Sequence, residues 1–339
     1  MPHLSTNSYL LQPRSYPAKL SLVIPMYNEE AVVPFLRSAV AQFVSALPSE
    51  TEVLLVNDGS MDSTLKQIVE WANEDSHVKV VNFSRNFGHQ IALTAGLDYA
   101  TGDAVVTLDA DLQHPFNVIH RMIERYCEGY DVIYGQRQVR RGETWIKRFT
   151  AWLFYRLMRA FVHKDLPVDS GDFRLLSRPC LNGLQQMRET HRFVRGMVAW
   201  VGFPQIGVHY EQAARVAGNT KYTWERMVNF AWTAATSFSI VPLKASTWLG
   251  VIVTLVGLGE AIHALLAKFF HWYVVPGWTS LTVLVSILGG ATLVSIGVLG
   301  EYVGKLYEQT KSRPLYLVSQ TVNIDSAQKM DTKTHQQTV

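Results

Sequence analysis

Between residues 20 and 140, apolar runs of strand length alternate with stretches whose apolar positions recur at helical spacing. The strand-like runs are 20–25, 53–57, 78–83, 104–108 and 131–134; the helical patterns are 29–44, 63–74, 89–100 and 115–128. Continuous β-branched strands separated by helices predict an α/β fold, a doubly wound and mostly parallel sheet covered on both faces. Ligands of such sheets bind at the carboxyl ends of the strands, which directs the search for chemistry there.

The pattern changes in the last third of the chain. Residues 245–267 carry only Glu260 and His263 as ionisable groups, and residues 277–300 carry none. About 20 helical residues at roughly 1.5 Å each cross a hydrocarbon layer about 30 Å thick, so a two-helix transmembrane hairpin is predicted. Glu260 weakens the first span, since a carboxylate in mid-membrane costs about 2.5–3.5 kcal/mol. The plainer alternative is a helical hairpin buried in a large soluble core. The connector holds Phe269, Phe270, Trp272 and Tyr273, which suits an interfacial belt. Lys221, Arg226 and Lys244 precede the hairpin and Lys305, Lys311 and Arg313 follow it, against Lys268 alone in the connector. This bias predicts a two-span protein of the cell (inner) membrane with both termini cytoplasmic.

Residues 145–163 and 223–244 alternate basic and large apolar residues, as amphipathic helices on a membrane do. Half-buried helices of an ordinary domain give the same pattern. The expected division is an N-terminal extension (1–19), a cytosolic domain (20–222), a juxtamembrane helix (223–244), the hairpin (245–300) and a cytosolic tail (301–339), structureless after about residue 320.

Composition narrows the partners. Lys and Arg number 31 against 28 Asp and Glu, a net +3, too small for a nucleic-acid protein acting through bulk charge. Two cysteines, Cys127 and Cys180, make neither a disulfide framework nor a four-ligand zinc site, so reduced thiols are expected. The first 19 residues hold no apolar run of signal-peptide length, which predicts that the first domain stays in the cytosol.

Four strand ends carry polar clusters. In Pro25-Met26-Tyr27-Asn28-Glu29-Glu30, Asn28 is placed to cap the next helix and the glutamates suit its dipole. Asn57-Asp58-Gly59-Ser60 is a turn sequence, and Ser84-Arg85-Asn86-Phe87-Gly88 puts an arginine where an anion could meet it. Neither a G-x-G-x-x-G nor a P-loop is present. Asp109-Ala110-Asp111-Leu112-Gln113 directly follows a strand. Residues i and i+2 of a strand point the same way, so the two carboxylates converge and a divalent cation, Mg2+ or Mn2+, relieves their repulsion. A solvated acidic loop is the bland alternative.

Taken in order, Pro25 to Glu29, Asp58-Gly59-Ser60, Ser84 to Gly88 and Asp109 to Pro115 resemble the family 2 nucleotide-sugar glycosyltransferases of GT-A fold. Asp169-Ser170-Gly171-Asp172-Phe173-Arg174, Ala217-Gly218-Asn219-Thr220-Lys221-Tyr222 and Gly300-Glu301-Tyr302-Val303-Gly304 resemble the polyprenyl-phosphate branch, relatives of dolichol-phosphate mannose synthase. The hairpin is similar to that of bacterial bactoprenol glucosyltransferases. The resemblance spans residues 18–318. It implies an inverting, metal-dependent enzyme that moves one sugar, glucose from UDP-glucose, to undecaprenyl phosphate.

The resemblance also implies roles. Pro25, Tyr27, Asn28, Glu29, Asp58, Ser60, Arg85, Asn86, Asp109, Ala110, Arg215 and Lys221 would hold the nucleotide sugar. Asp109, Asp111 and Gln113 would hold the metal, and Gly218 to Tyr222 would close over the donor. Gln212 stands where relatives are often basic, which puts a phosphate contact there in doubt. Asp169 or Asp172 would join Asp109 and Asp111 in catalysis by orienting acceptor or sugar; a salt bridge with Arg174 explains either equally well. A phosphate monoester is largely dianionic at neutral pH and needs little help from a base, so the burden is holding two anions together. Arg137, Lys147, Arg148 and Arg174 are the candidates for the acceptor phosphate, although Lys147 and Arg148 equally suit plain attraction to anionic lipid.

Two other readings compete. A processive polysaccharide synthase would carry Q-x-x-R-W, but Gln185-Gln186-Met187-Arg188-Glu189 ends in Glu. A non-catalytic tether that binds a nucleotide sugar would more easily have lost a metal carboxylate. A flippase is disfavoured because two helices offer no inverted repeat. Gly289-Gly290-Ala291 suits packing of the hairpin against copies of itself, so a homo-oligomer is expected.

Overall fold

The computed structural model describes residues 11–137, 170–212, 241–270 and 278–325. They divide into two units, one of residues 1–223 with 312–339 and one of residues 224–311.

Four parallel strands form the centre of the first unit: β1 (Lys19–Met26), β2 (Glu50–Asn57), β3 (Val78–Phe83) and β4 (Ala104–Thr107). Nearly every side chain in them is buried, which is why they read as unbroken apolar runs. Helices α1 (Val33–Ser45), α2 (Thr64–Glu74) and α3 (His89–Tyr99) connect them, and α4 (Asn117–Cys127) leads on to β5 (Val132–Arg137). Leu22, Ile24, Leu55, Val80, Val106 and Ile133 share one core with Leu36, Ile68 and Ile119 from the helices. Glu52, on the opposite face of the sheet from that core, is 2% exposed and held by Ser21, Lys79 and the Thr101 amide.

Four of the seven strand pairings are parallel, as expected, and the other three make the sheet mixed. Strand β6 (Ser170–Ser177) runs antiparallel between β4 and β5, and β7 (Gln205–Tyr210) lies parallel to β5 at the edge. At the opposite edge β8 (Val318–Val322) pairs antiparallel with β3. The full order is β7-β5-β6-β4-β1-β2-β3-β8. Strand β6 carries Asp172 and Arg174 among its apolar residues and shows no strand pattern; partners on both sides make it a strand. Helices α5 (Arg178–Gln185) and α6 (Val194–Trp200) follow. The chain builds outward from β1 through β2 to β3, then returns to place β4 on the other side of β1. That reversal opens a crevice at the carboxyl ends of β1 and β4, where doubly wound sheets bind ligands.

Two boundaries differ from expectation. Helix α1 begins at Val33, with Val32 at its cap and no side-chain cap bond, so Asn28 does not cap it. The tail does not lose structure at residue 320. Tyr316 is fully buried against Phe83, ring centroids 5.1 Å apart, and the Asn323 amide donates to the carbonyls of Ala72 and Val78. Both cysteines are free thiols. In the extension, Arg14 pairs with Asp131 at 3.0 Å.

The second unit is α7 (Val241–Phe269) and α8 (Trp278–Thr310), packed on each other. Within them Val241–Gly259 and Ile287–Thr310 are long and apolar enough to cross a membrane, and neither window is buried. Trp248, Leu255, Leu293 and Ile296 are exposed, unlike the side chains of a soluble core. The amphipathic patterns at 145–163 and 223–240 lie outside the described residues.

Candidate active site

The loops after β1 and β2 are stitched into one surface. The Asn28 amide donates to Ser60 Oγ at 2.9 Å, and the Met61 amide donates to Asn28 Oδ1 at 2.9 Å. Asn28 adopts the left-handed region at φ 53°, which asparagine tolerates better than most residues. The Glu29 amide donates to Thr64 Oγ1 at 2.8 Å, and Ser60 Oγ donates to Asn57 Oδ1 at 2.5 Å. Pro25 is buried beneath this surface, whereas Tyr27 is exposed on it.

Asp58 ties in the third loop. It is 3% exposed, and its carboxylate accepts the amide hydrogens of Phe87 at 2.6 Å and Gly88 at 3.0 Å. Burial raises its pKa against the opposing pull of those two amides. Gly59, at φ 67°, lets the two loops touch: a Cβ there would meet the Arg85 carbonyl carbon at 2.5 Å. Arg85 and Asn86 are exposed, with the Arg85 guanidinium 4.1 Å from the Phe87 ring centre.

Asp109 leaves the end of β4 with its side chain 36% exposed. Ala110 is buried, and Leu112 at φ 58° makes the turn tight enough for the Gln113 amide to donate to Asp111 Oδ1 at 3.1 Å. Gln113 Oε1 accepts from Gln212 Nε2 at 2.5 Å, so Gln212 orients the amide named above as a metal ligand. Among the described residues no group of three or more His, Cys, Asp or Glu is placed to hold a metal. Two carboxylates and an amide oxygen still fit a hard divalent cation that takes its remaining oxygens from water and phosphate.

Strand β6 brings Asp172 to the same crevice. Its carboxylate lies 3.4 Å from His89 Nε2 and 3.6 Å from the Arg195 guanidinium, and accepts from Gln90 Nε2 at 3.1 Å. Burial opposes its ionisation, yet Arg195, His89 and Arg174 hold it well below the usual carboxylate range. His89 Nε2 also lies 3.7 Å from Asp109 Oδ1. Desolvation disfavours the imidazolium, but the carboxylates of Asp172 and Asp109 outweigh that and hold the pKa up at about 9. His89 therefore bridges the two carboxylates as a cation.

The remaining expected residues divide sharply. Arg137 ends β5 part-buried, its Nε donating to the Tyr210 hydroxyl at 3.4 Å. Arg174 is 3% exposed and donates to the Gly171 carbonyl at 3.0 Å, so it supports a backbone turn instead of facing an open site. The alternative of a salt bridge between Asp172 and Arg174 gives way to pairs with Arg195 and His89, although the Arg174 charge still favours the ionised Asp172. Lys147, Arg148, Asp169, Arg215, Lys221 and the expected donor-closing loop at 218–222 lie outside the described residues. His89, His114 and Arg195 escaped the sequence reading. His89 had a signal in its place directly after the Gly88 turn at the start of α3; Arg195 had none.

A profile of the glycosyl transferase family 2 matches residues 21–184. An uncharacterized glycosyltransferase of Synechocystis sp. is 44% identical over 301 residues, 89% of this chain and 95% of that one. The prophage bactoprenol glucosyl transferase homolog of Escherichia coli K12 is 39% identical over 300 residues, 88% of this chain and 98% of that one. Among solved structures, glucosyl-3-phosphoglycerate synthase of Mycobacterium tuberculosis aligns with a TM-score of 0.47 at 18% identity, covering 65% of this chain and 76% of that one. With relatives matched along most of its length, this chain belongs to glycosyl transferase family 2 and is a glycosyltransferase.

Proposed function

We propose that the chain moves a single hexose, glucose from UDP-glucose, onto a polyprenyl phosphate at the membrane, with inversion at the anomeric carbon. The observation that carries this reading is the likeness, over most of both chains, to proteins named bactoprenol glucosyl transferases. Bactoprenol is a polyprenyl lipid, and α7 and α8 supply two helices fit to hold the enzyme at a bilayer. The inner-membrane location with both termini cytoplasmic belongs to the same reading, as does self-association through Gly289-Gly290-Ala291.

The residues of the crevice suit that transfer. The joined loops of Asn28, Glu29, Asp58 and Ser60 offer a polar floor for the nucleotide. Asp109, Asp111 and Gln113 would hold Mg2+ or Mn2+, which would supply Lewis-acid neutralisation of the diphosphate's charge. Arg137 brings a fixed cation to the acceptor side, and Asp172 with His89 keeps a charged pair in the crevice for sugar hydroxyls. Asp172 is not placed to gain a proton readily, because Arg195 and His89 stabilise its ionised form. A lipid phosphate already carries its own nucleophilic oxygen, so no strong base is required of the protein.

The test is transfer of labelled sugar from several nucleotide sugars to undecaprenyl phosphate in detergent, with each metal and with a chelator. A lipid phosphate bearing one sugar, formed only with metal, supports the reading. A long polymer would establish a synthase. Tight nucleotide binding without transfer from any donor would establish a tether.

A further inference from the structure

His114 is a buried polar group whose hydrogen bonding is incomplete. It is 2% exposed and stacks on Phe173 with ring centroids 4.7 Å apart. Its Nδ1 lies 3.4 Å from the Asp109 backbone nitrogen, whose N–H points at it. A nitrogen that accepts a hydrogen carries none, so the imidazole proton sits on Nε2. That Nε2 has no hydrogen-bond partner among the described residues. Buried donors are seldom left so, because an unmade bond costs the full desolvation of the group.

Gly171 shows where the partner would sit. A Cβ built on it lies 3.6 Å from an Arg137 guanidinium nitrogen and 4.0 Å from His114 Nε2, with only the Phe173 amide nitrogen, at 3.8 Å, between them in distance. Donors from the turn after β4 and from the end of β5 thus come together over the face of Gly171, where no side chain of residue 171 separates them. Arg174 fixes the Gly171 carbonyl and Tyr210 fixes the Arg137 guanidinium, so both are held. A guanidinium beside a neutral N–H is a donor set for an anionic oxygen, and phosphate oxygens accept such charge-assisted bonds best.

We infer that His114 donates its Nε2 hydrogen to an oxygen of the acceptor phosphate, beside Arg137, over the face of Gly171. The inference rests on the reading of a lipid phosphate as acceptor. It gives one imidazole two duties: Nδ1 holds the backbone of Asp109 on the donor side, and Nε2 holds the acceptor.

The two duties separate by substitution. His114→Asn keeps an acceptor near Nδ1 and removes the donor at Nε2, whereas His114→Gln places an amide N–H near Nε2. With the full chain in detergent and farnesyl phosphate as probe, His114→Asn should weaken binding about tenfold, the scale of one hydrogen bond to a charged group. The KM for the lipid acceptor should rise in step while the KM for UDP-glucose and the metal dependence stay put, and His114→Gln should recover most of the loss. Gly171→Ala, whose methyl comes between the two donors at ordinary contact distance, should give the same acceptor-only defect and serves where His114→Asn fails to fold. Farnesyl phosphate bound equally by wild type and variants would overturn the inference. So would a defect in donor KM alone, which would confine His114 to the Asp109 turn. Wild type that hydrolyses UDP-glucose with metal yet ignores farnesyl phosphate would overturn the lipid-phosphate reading itself, and the inference with it.

Discussion

Tyr316 donates its phenolic hydrogen to Asp98 at 2.9 Å, joining residues 218 positions apart. The same carboxylate takes a two-pronged bond from Arg188, in a pair whose side chains are 1% and 7% exposed. The chain that follows α8 is thereby fastened to α3 and to the segment after α5, on the domain that carries the candidate site. Tyr316→Phe should lower stability by only about 1 kcal/mol, since Asp98 keeps Arg188. Asp98→Asn should cost about 3–5 kcal/mol by removing the charge that a buried guanidinium is paired with. Thermal unfolding of the full chain in detergent measures both, and equal losses would contradict the ranking.

Removing a metal carboxylate should separate chemistry from folding. Asp111→Ala should lower turnover by about 100-fold or more, as the loss of a group that stabilises transition-state charge does. The melting temperature should hardly move, because Asp111 is part-exposed and packs into no core. A chelator should abolish transfer by the wild type, and added Mg2+ or Mn2+ should restore it.

Gly59 tests the contact between the second and third loops. Alanine there meets two obstacles, a left-handed backbone at φ 67° and a carbonyl carbon 2.5 Å from its methyl. Gly59→Ala should destabilise by about 1–3 kcal/mol and raise the KM for the nucleotide sugar by displacing Asp58 and Arg85. Unchanged kinetics would show that this loop contact does not shape the donor site.

Glu52 should make stability depend on pH. Burial pushes its pKa up, but Lys79, Ser21 and the Thr101 amide outweigh that and leave it below its ordinary 4.5. The folded state then binds protons less readily than the unfolded one, so the stabilisation is present above about pH 4.5 and is lost as pH falls through the lower folded-state value. Urea midpoints should show wild type well above Glu52→Gln at pH 7, with the gap closing below pH 4. A gap independent of pH would mean that the carboxylate's charge contributes nothing.

The sequence by itself determined whatever rests on local spacing. Four of the five apolar runs fell on β1 to β4 and the fifth on the start of β5, because strands buried on both faces have no choice but to be apolar throughout. The helices between them, the two long apolar segments and the Asp109–Asp111 pair at a strand end were legible for the same reason: each is a pattern of neighbours. Only the tertiary structure decided the partnerships across long separations. Strand β6 is a strand because β4 and β5 offer their edges to it, and β8 because β3 does, although neither segment carries the alternation of a strand on its own. His89 gained a second carboxylate when Asp172 arrived from β6 beside Asp109, and His114 met Gly171, 57 residues later in the chain. Local sequence fixes which face a side chain presents; what that face meets is set by packing, whose energy comes from contacts that no window along the chain contains.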